Sequence, residues 1–389
     1  VTMDYYRYRS GSELSIKELI YDEIYFASAT ECNDPYEGKM FAILGKDSGC
    51  WERLIHLAID KYPGIQNFSY ISDRIVDFYW SRAPLYVDEV LETDRAEFLN
   101  LANNDFEKLI YSHLLEIIKE FVRLYIPAEK YFVSFSKRND ISLMWAHYAN
   151  NHRGYCAIFR VPEGKIKQNP TWAKKVISHQ TPKSFSPQMT SFIDEAFPIR
   201  DIEYLDKPHD INGFMCFPPV VIGKEISEEE RRAFVDERSG TYFQKHKVWE
   251  YEEEARIVLS SGIPWLLGER TSLSEHQRLF HYDSTQLTGI VLGAKMPQPQ
   301  RNRIKEIIAE KVDHWYSNIT EERIISDFVL FEERLMETNR TVEVIPKEIY
   351  SASQIIKSDD LAFDKIFKAW QDGEAIRFQG NRAEKVKII

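Results

Sequence analysis

Aromatic and basic residues alternate at the start of the chain, in Asp4-Tyr5-Tyr6-Arg7-Tyr8-Arg9. A period of two predicts a first strand with Arg7 and Arg9 on one face. After the Ser10-Gly11-Ser12 turn, Leu14, Leu19 and Ile20 fall at helical spacing, and residues 24–28 read as a second strand before the polar segment 30–37. From 50 to 126 the pattern turns helical, clearest where Phe106, Leu109, Ile110, His113, Leu114, Ile117, Ile118 and Phe121 form one stripe. Strand patterns resume at 131–135 and 155–159, separated by a short helix at 142–149. Residues 162–198 are rich in Pro, Ser, Thr, Gln and Lys, as a long surface loop is. Beyond them, 199–204, 252–259 and 288–292 read as extended, and 228–247, 298–315 and 359–370 as helical.

No internal repeat is present, and strands recur around helices. The expected architecture is α+β, a mixed and mostly antiparallel sheet. Residues 1–49 and 127–346 are expected to form the core domain, 50–126 a helical insertion, and 347–389 a C-terminal helical extension ending in the basic stretch 382–387.

Composition narrows the function classes. The 389 residues are 43% hydrophobic and 29% charged, with 16 Gly and 16 Pro, which is ordinary globular material rather than disordered or fibrous chain. A formal charge of −11 argues against broad coating of nucleic acid or an anionic membrane surface. No run approaches the about 18 apolar residues of a membrane span, and the start lacks the regions of a signal peptide. The expectation is a cytoplasmic protein without a membrane partner. The four cysteines, Cys32, Cys50, Cys156 and Cys216, form no CxxC pair, so neither a zinc site nor a disulfide framework is indicated. Aromatics reach 13%, which serves either core packing or the stacking of a planar ligand.

Four stretches carry candidate chemistry. Arg7 and Arg9 either grip a pyrophosphate or carboxylate through their guanidinium forks or pair with surface acids. Ser28, Asn33 and Asp34 lie in SATECNDPYEG, which is either a capped turn or a turn at a pocket mouth. In LMWAHYANNHRG, Trp145 and Tyr148 share a helical face, as do Met144 and His147, and His147 and His152 match no zinc signature. In KHKVWEYEEEARIVL, a strand would send Glu252, Glu254 and Arg256 one way, with Lys245 upstream as a compensating cation. Like charges on one strand face repel, so such an arrangement shifts pKa values.

Together the blocks YRYRS, IYFASATECNDPYEG, VSFSKRNDISLMWAHYANNHRGYCAIF, YFQKHKVWEYEEEARIVL and GIVLGAKM resemble a bacterial family of domains of unknown function. Its signature is an NDP-x-E turn, an MW-x-HYA helix and a K-x-x-x-W-x-YE-x-E-x-R block. The order of an early strand arginine, a serine- or tyrosine-bearing element and a late E-x-E strand is also similar to the ADP-ribosyltransferase superfamily, although no S-T-S triplet stands on a strand. That similarity implies NAD as substrate and Arg7 or Arg9 on the pyrophosphate. Glu254 would be the catalytic carboxylate, Glu252 would orient the acceptor, and Tyr148 or Trp145 would stack on nicotinamide. His147, Ser28, Asn33, Asp34, Lys245 and Arg256 would complete the cleft. It further implies a macromolecular acceptor, protein or nucleic acid, and the setting of a bacterial toxin or anti-phage effector.

Two other classes stay open. In a metal-dependent nuclease or phosphodiesterase, Asp34, Glu252 and Glu254 would bind magnesium beside Lys245 or Lys247. In a non-catalytic ligand-sensing or interaction module the acidic strand is structural. A basic track for nucleic acid would run through Lys165, Lys167, Lys174, Lys175 and Lys183, with a solvated loop as the plainer reading.

Overall fold

Side chains alternate across a pleat, so the first strand, β1 (Met3–Arg9), sends Tyr6 and Tyr8 to one face of a sheet and Tyr5, Arg7 and Arg9 to the other. The computed structural model describes residues 3–34, 36–38, 41–60, 69–125, 130–179, 189–260, 273–317, 323–352, 354–379 and 382–388. In chain order the main elements after β1 are α1 (Glu13–Ile20), β2 (Ala27–Ser28), α2 (Ser48–Asp60), α3 (Ser69–Arg82), α4 (Asp105–Tyr125) and β3 (Lys130–Ser136). There follow α5 (Ser142–Tyr148), β4 (Tyr155–Val161), β5 (Arg200–Asp201), β6 (Glu254–Ser260), β7 (Leu287–Leu292) and α6 (Gln298–Ser317). The chain ends with β8 (Phe328–Met336), β9 (Thr341–Ser351), β10 (Gln354–Lys357), α7 (Phe363–Gln371), β11 (Glu374–Gln379) and β12 (Arg382–Lys387).

Strands β1 to β10 form one mixed sheet in the order β5-β6-β3-β1-β4-β7-β8-β9-β10, with β2 on β3. All neighbours are antiparallel except β7 and β8. The α+β class read from the sequence is what the chain adopts. Across the sheet Tyr6 pairs with Ser136, which pairs with Glu254, so these three side chains share a face.

One face buries Tyr5, Phe135, Phe159, Ile257 and Ile290 under Ile16 and Leu19 of α1 and Ile304, Ile308 and Val312 of α6. The other buries Tyr8, Cys156, Ile158 and Phe331 under Trp145 of α5 and Phe363 and Trp370 of α7. A third cluster joins α2, α3 and α4 through Trp51, Leu54, Tyr79, Tyr111 and Leu114, and it draws in Phe214, Phe217 and Val221 from far downstream.

Three expectations are corrected. Helix α4 turns Tyr111, Leu114, Leu115, Ile118, Phe121 and Val122 inward and leaves Phe106 and Leu109 exposed. Both stripes satisfy helical spacing, and packing against α2 selects the former. The expected C-terminal helical extension contains one helix, but β9 and β10 belong to the main sheet, and the basic end forms the β11-β12 hairpin. Alternation in Glu374-Ala375-Ile376-Arg377-Phe378 accounts for that strand. The expected second strand divides: residues 23–25 pair with 279–281, and β2 pairs with β3.

Candidate active site

The acidic block does not lie on one strand. Glu252 ends a 3-10 turn, Lys247–Glu252, and Glu253 takes a left-handed φ of 43° before β6 begins at Glu254. That reversal lets Glu252 and Glu254 meet one ammonium: Lys245 Nζ lies 2.6 Å from Glu252 Oε2 and 2.9 Å from Glu254 Oε2. Two residues along β6, Arg256 donates from Nη2 to Glu254 Oε1 at 2.6 Å and lies 2.5 Å from Glu37 Oε1. Glu37 Oε2 is also 3.5 Å from Lys245. Three carboxylates therefore face two cations, and each of these side chains is at most 6% exposed.

Glu37 reaches the cluster because Gly38, at φ 66°, lies against the Phe132 ring of β3, where a Cβ would come within 2.6 Å. The Tyr148 hydroxyl of α5 donates to Glu252 Oε1 at 2.6 Å, and Asn33 bonds the same tyrosine. Tyr204 accepts from the Glu254 backbone N–H at 2.7 Å, and Ser136 Oγ donates to the Glu252 carbonyl at 2.7 Å.

Burial alone would raise the Glu254 pKa, but Arg256 and Lys245 outweigh it and hold the carboxyl at about 2. Lys245 and Arg256 are held above their ordinary values, since Glu254 and Glu37 overcome the desolvation of each. The Tyr148 hydroxyl is pushed up by burial and by Glu252. It stays protonated and donates. A mostly apolar cavity of about 480 Å³ opens onto this cluster, lined by Asp34, Glu37, Phe41, Leu205, Lys245 and Trp249 among others.

Residues 144–257 match the family model described as Protein of unknown function (DUF2971). This bears out the family resemblance read from the MWAHYA and KHKVWEYEEEAR blocks. The DUF2971 match spans Tyr148, Lys245, Glu252, Glu254 and Arg256, while Asn33, Asp34 and Glu37 reach the same cluster from outside it. No curated protein and no solved structure matches the chain.

The structure thus brings together Asn33, Asp34, Tyr148, Lys245, Glu252, Glu254 and Arg256. It does not bring Arg7 and Arg9 to them. Both point to the opposite sheet face, where Arg7 lies 3.9 Å and Arg9 2.5 Å from Glu18. Alternation along β1 fixes this: Tyr6, not Arg7, shares the row of Glu254. Ser28 is engaged at the start of a 3-10 turn, donating from its backbone N–H and its hydroxyl to Glu31 Oε2. Trp145 is fully buried against Tyr8, with its indole N–H on the Asn139 carbonyl, so it offers no stacking surface. His147 is exposed beside Tyr148, and His152 is a buried histidine bonded to Glu333.

Sequence reasoning passed over Glu37, Trp249, Tyr204 and Ser136. Glu37 was legible as the acid of the NDP-x-E turn, and Ser134 and Ser136 stand on β3 in VSFS, facing the side of Glu254 and Arg256. For the magnesium alternative, the Lys245 ammonium occupies the place between Glu252 and Glu254 that a cation would take. Among the described residues no group of three or more His, Cys, Asp and Glu is arranged to hold a metal. The basic track is not continuous either: Lys174 donates to the His276 and Leu279 carbonyls and Lys175 lies 3.8 Å from Glu195, while Lys183 falls outside the described residues. Among the described residues no helix is long and apolar enough to cross a membrane.

Proposed function

We propose that the chain is an ADP-ribosyltransferase-like enzyme that cleaves NAD at the cavity beside Lys245 and Glu252 and passes ADP-ribose to a macromolecular acceptor. The observation that supports this most is the meeting of Tyr148 from one block with Lys245, Glu252 and Glu254 from another, with Lys245 on the cavity wall. Strands β1, β3 and β6 are neighbours in the sheet, but Arg7 and Arg9 of β1 face away from the cluster and Glu252 precedes β6, so the reading rests on the cluster and not on that order.

In this reading the bond between the ribose anomeric carbon and the nicotinamide nitrogen breaks, and its electron pair leaves with nicotinamide. The positive charge developing on the ribose is stabilised by fixed carboxylates in a water-poor site. A hydroxyl or amine of the acceptor then bonds to that carbon, and its proton passes to a carboxylate. Glu252 is assigned this work, because Glu254 is held by both Arg256 and Lys245, whereas Glu252 shares only Lys245 and accepts from the hydroxyl of the partly buried Tyr148. Trp249 offers the ring face for nicotinamide. Arg7 and Arg9 have no part. The cavity volume falls within the about 300–1,000 Å³ of small-molecule sites and suits the nicotinamide end of the dinucleotide.

The test is nicotinamide release from NAD by the purified chain, with and without cell lysate as acceptor source. Wild type is expected to release it, and Glu252→Gln to lose about 100-fold or more. Absence of both binding and release would overturn the reading.

One observation favours a second reading, a ligand-sensing module: Glu254 and Arg256 neutralise each other in full burial, as a structural pair does. It predicts NAD or ligand binding abolished by Trp249→Ala with no turnover in any variant.

A further inference from the structure

A second cavity, of about 550 Å³ and with polar walls, opens between the segment around Lys167 to Trp172, the turn Ser284–Gln286, and the strand Arg323–Ile325. Its floor contains an irregularity of the sheet. Leu287 of β7 pairs with Phe159 and Gly289 with Ile158, so Thr288 is the extra residue of a β-bulge. Bulges re-aim a side chain out of the ladder. Thr288 lines the cavity at 2% exposure, and its Oγ1 has no hydrogen-bond partner. A buried hydroxyl left without a partner is destabilising unless something else supplies one.

The charges of the walls are unevenly engaged. Asp22 accepts from Lys311 at 2.7 Å, and Asp283 accepts from the backbone and hydroxyl of Thr285. Arg160 is taken by Asp4 and by the Trp370 carbonyl. Lys167 and Arg323 make no ion pair among the described residues, which leaves the cavity with an excess of positive charge. Trp172 stands at the rim, 64% exposed, with its ring 5.4 Å from that of His281. The C-terminal part of the chain closes the other side through Ile388, and Trp370 holds the Thr288 carbonyl at 3.2 Å.

We propose that this cavity is a second ligand site, for a small molecule that joins a flat ring to a phosphate, the chemistry of a nucleoside monophosphate. Lys167 and Arg323 meet the phosphate, Trp172 covers the ring, and the Thr288 hydroxyl bonds a polar atom at the floor. The site stands apart from the Trp249 cavity and does not depend on the NAD reading.

The test is calorimetric titration of the full chain with AMP, with adenosine and inorganic phosphate alongside. AMP is expected to bind more tightly than either of its parts. Replacing Lys167 and Arg323 together by alanine is expected to weaken AMP about tenfold or more. Thr288→Val is expected to weaken AMP while leaving the melting temperature of the free protein unchanged or raised, since the hydroxyl has no protein partner to lose. Trp249→Ala is expected to leave AMP binding intact. Failure of AMP to bind, equal binding by the Lys167/Arg323 double variant, or loss of binding in Trp249→Ala would each overturn the proposal.

Discussion

Two clusters of arginine and glutamate occupy opposite faces of the same sheet, a strand or two apart. Under α1, Arg7 and Arg9 share the one carboxylate of Glu18, and Arg9 keeps 26% of its side chain in solvent. Burial and the neighbouring Arg9 lower the Arg7 pKa to about 10. On the other face, Glu37, Glu252 and Glu254 enclose Lys245 and Arg256 out of water. The residue types are alike, but the balance is reversed, and only the acidic cluster borders the Trp249 cavity. What decides between them is the pleat: moving an arginine by one residue along β1 would have moved it to the other cluster.

The largest expected effect separates the two clusters by stability. Arg256→Met leaves three buried carboxylates to the single cation of Lys245 and is expected to cost about 3–5 kcal/mol, read from urea denaturation. Arg9→Met, at a part-exposed pair, is expected to cost about 1 kcal/mol or less. Equal losses would erase the distinction.

Acid sharpens it further. The Glu254 pKa of about 2 lies below that of an unfolded glutamate. Its contribution is therefore complete above the unfolded value, about 4.3, and is lost as pH falls toward 2. The gap in melting temperature between wild type and Glu254→Gln should accordingly shrink from pH 5 to pH 2. A gap that widens over that range would contradict the buried ion pairs.

A smaller effect is expected at the edge of the acidic cluster. Tyr148→Phe removes a donor to the charged Glu252 and should cost about 1–2 kcal/mol, measured in the same denaturation series. No change at all would place Tyr148 outside the network.

Much of this was legible in the sequence, for definite reasons. Strands β1, β3, β4 and β7 announce themselves by aromatic and β-branched runs, and α5 by its spacing before Gly154. Gly154 is required there because a Cβ would lie 2.0 Å from the Arg9 carbonyl. The chemistry of Lys245, Glu252, Glu254 and Arg256 was visible because like charges so close in sequence demand compensation.

What stayed hidden depends on distant contacts. A left-handed Glu253 is invisible in an EEE run, so Glu252 was read as strand. Glu37 meets Arg256 only because Gly38 settles on Phe132, nearly a hundred residues later. The choice between two apolar stripes of α4 is made by its neighbours, and the Thr288 bulge by the pairing of β7 with β4.

The proposed function assigns NAD to the cluster of Glu252 and not to that of Arg9. The most direct measurement compares nicotinamide release from NAD by wild type, Arg9→Met and Glu252→Gln, each first shown to be folded. Wild type and Arg9→Met are expected to release nicotinamide, and Glu252→Gln to lose that release. Loss in a folded Arg9→Met, or full release by Glu252→Gln, would contradict that assignment.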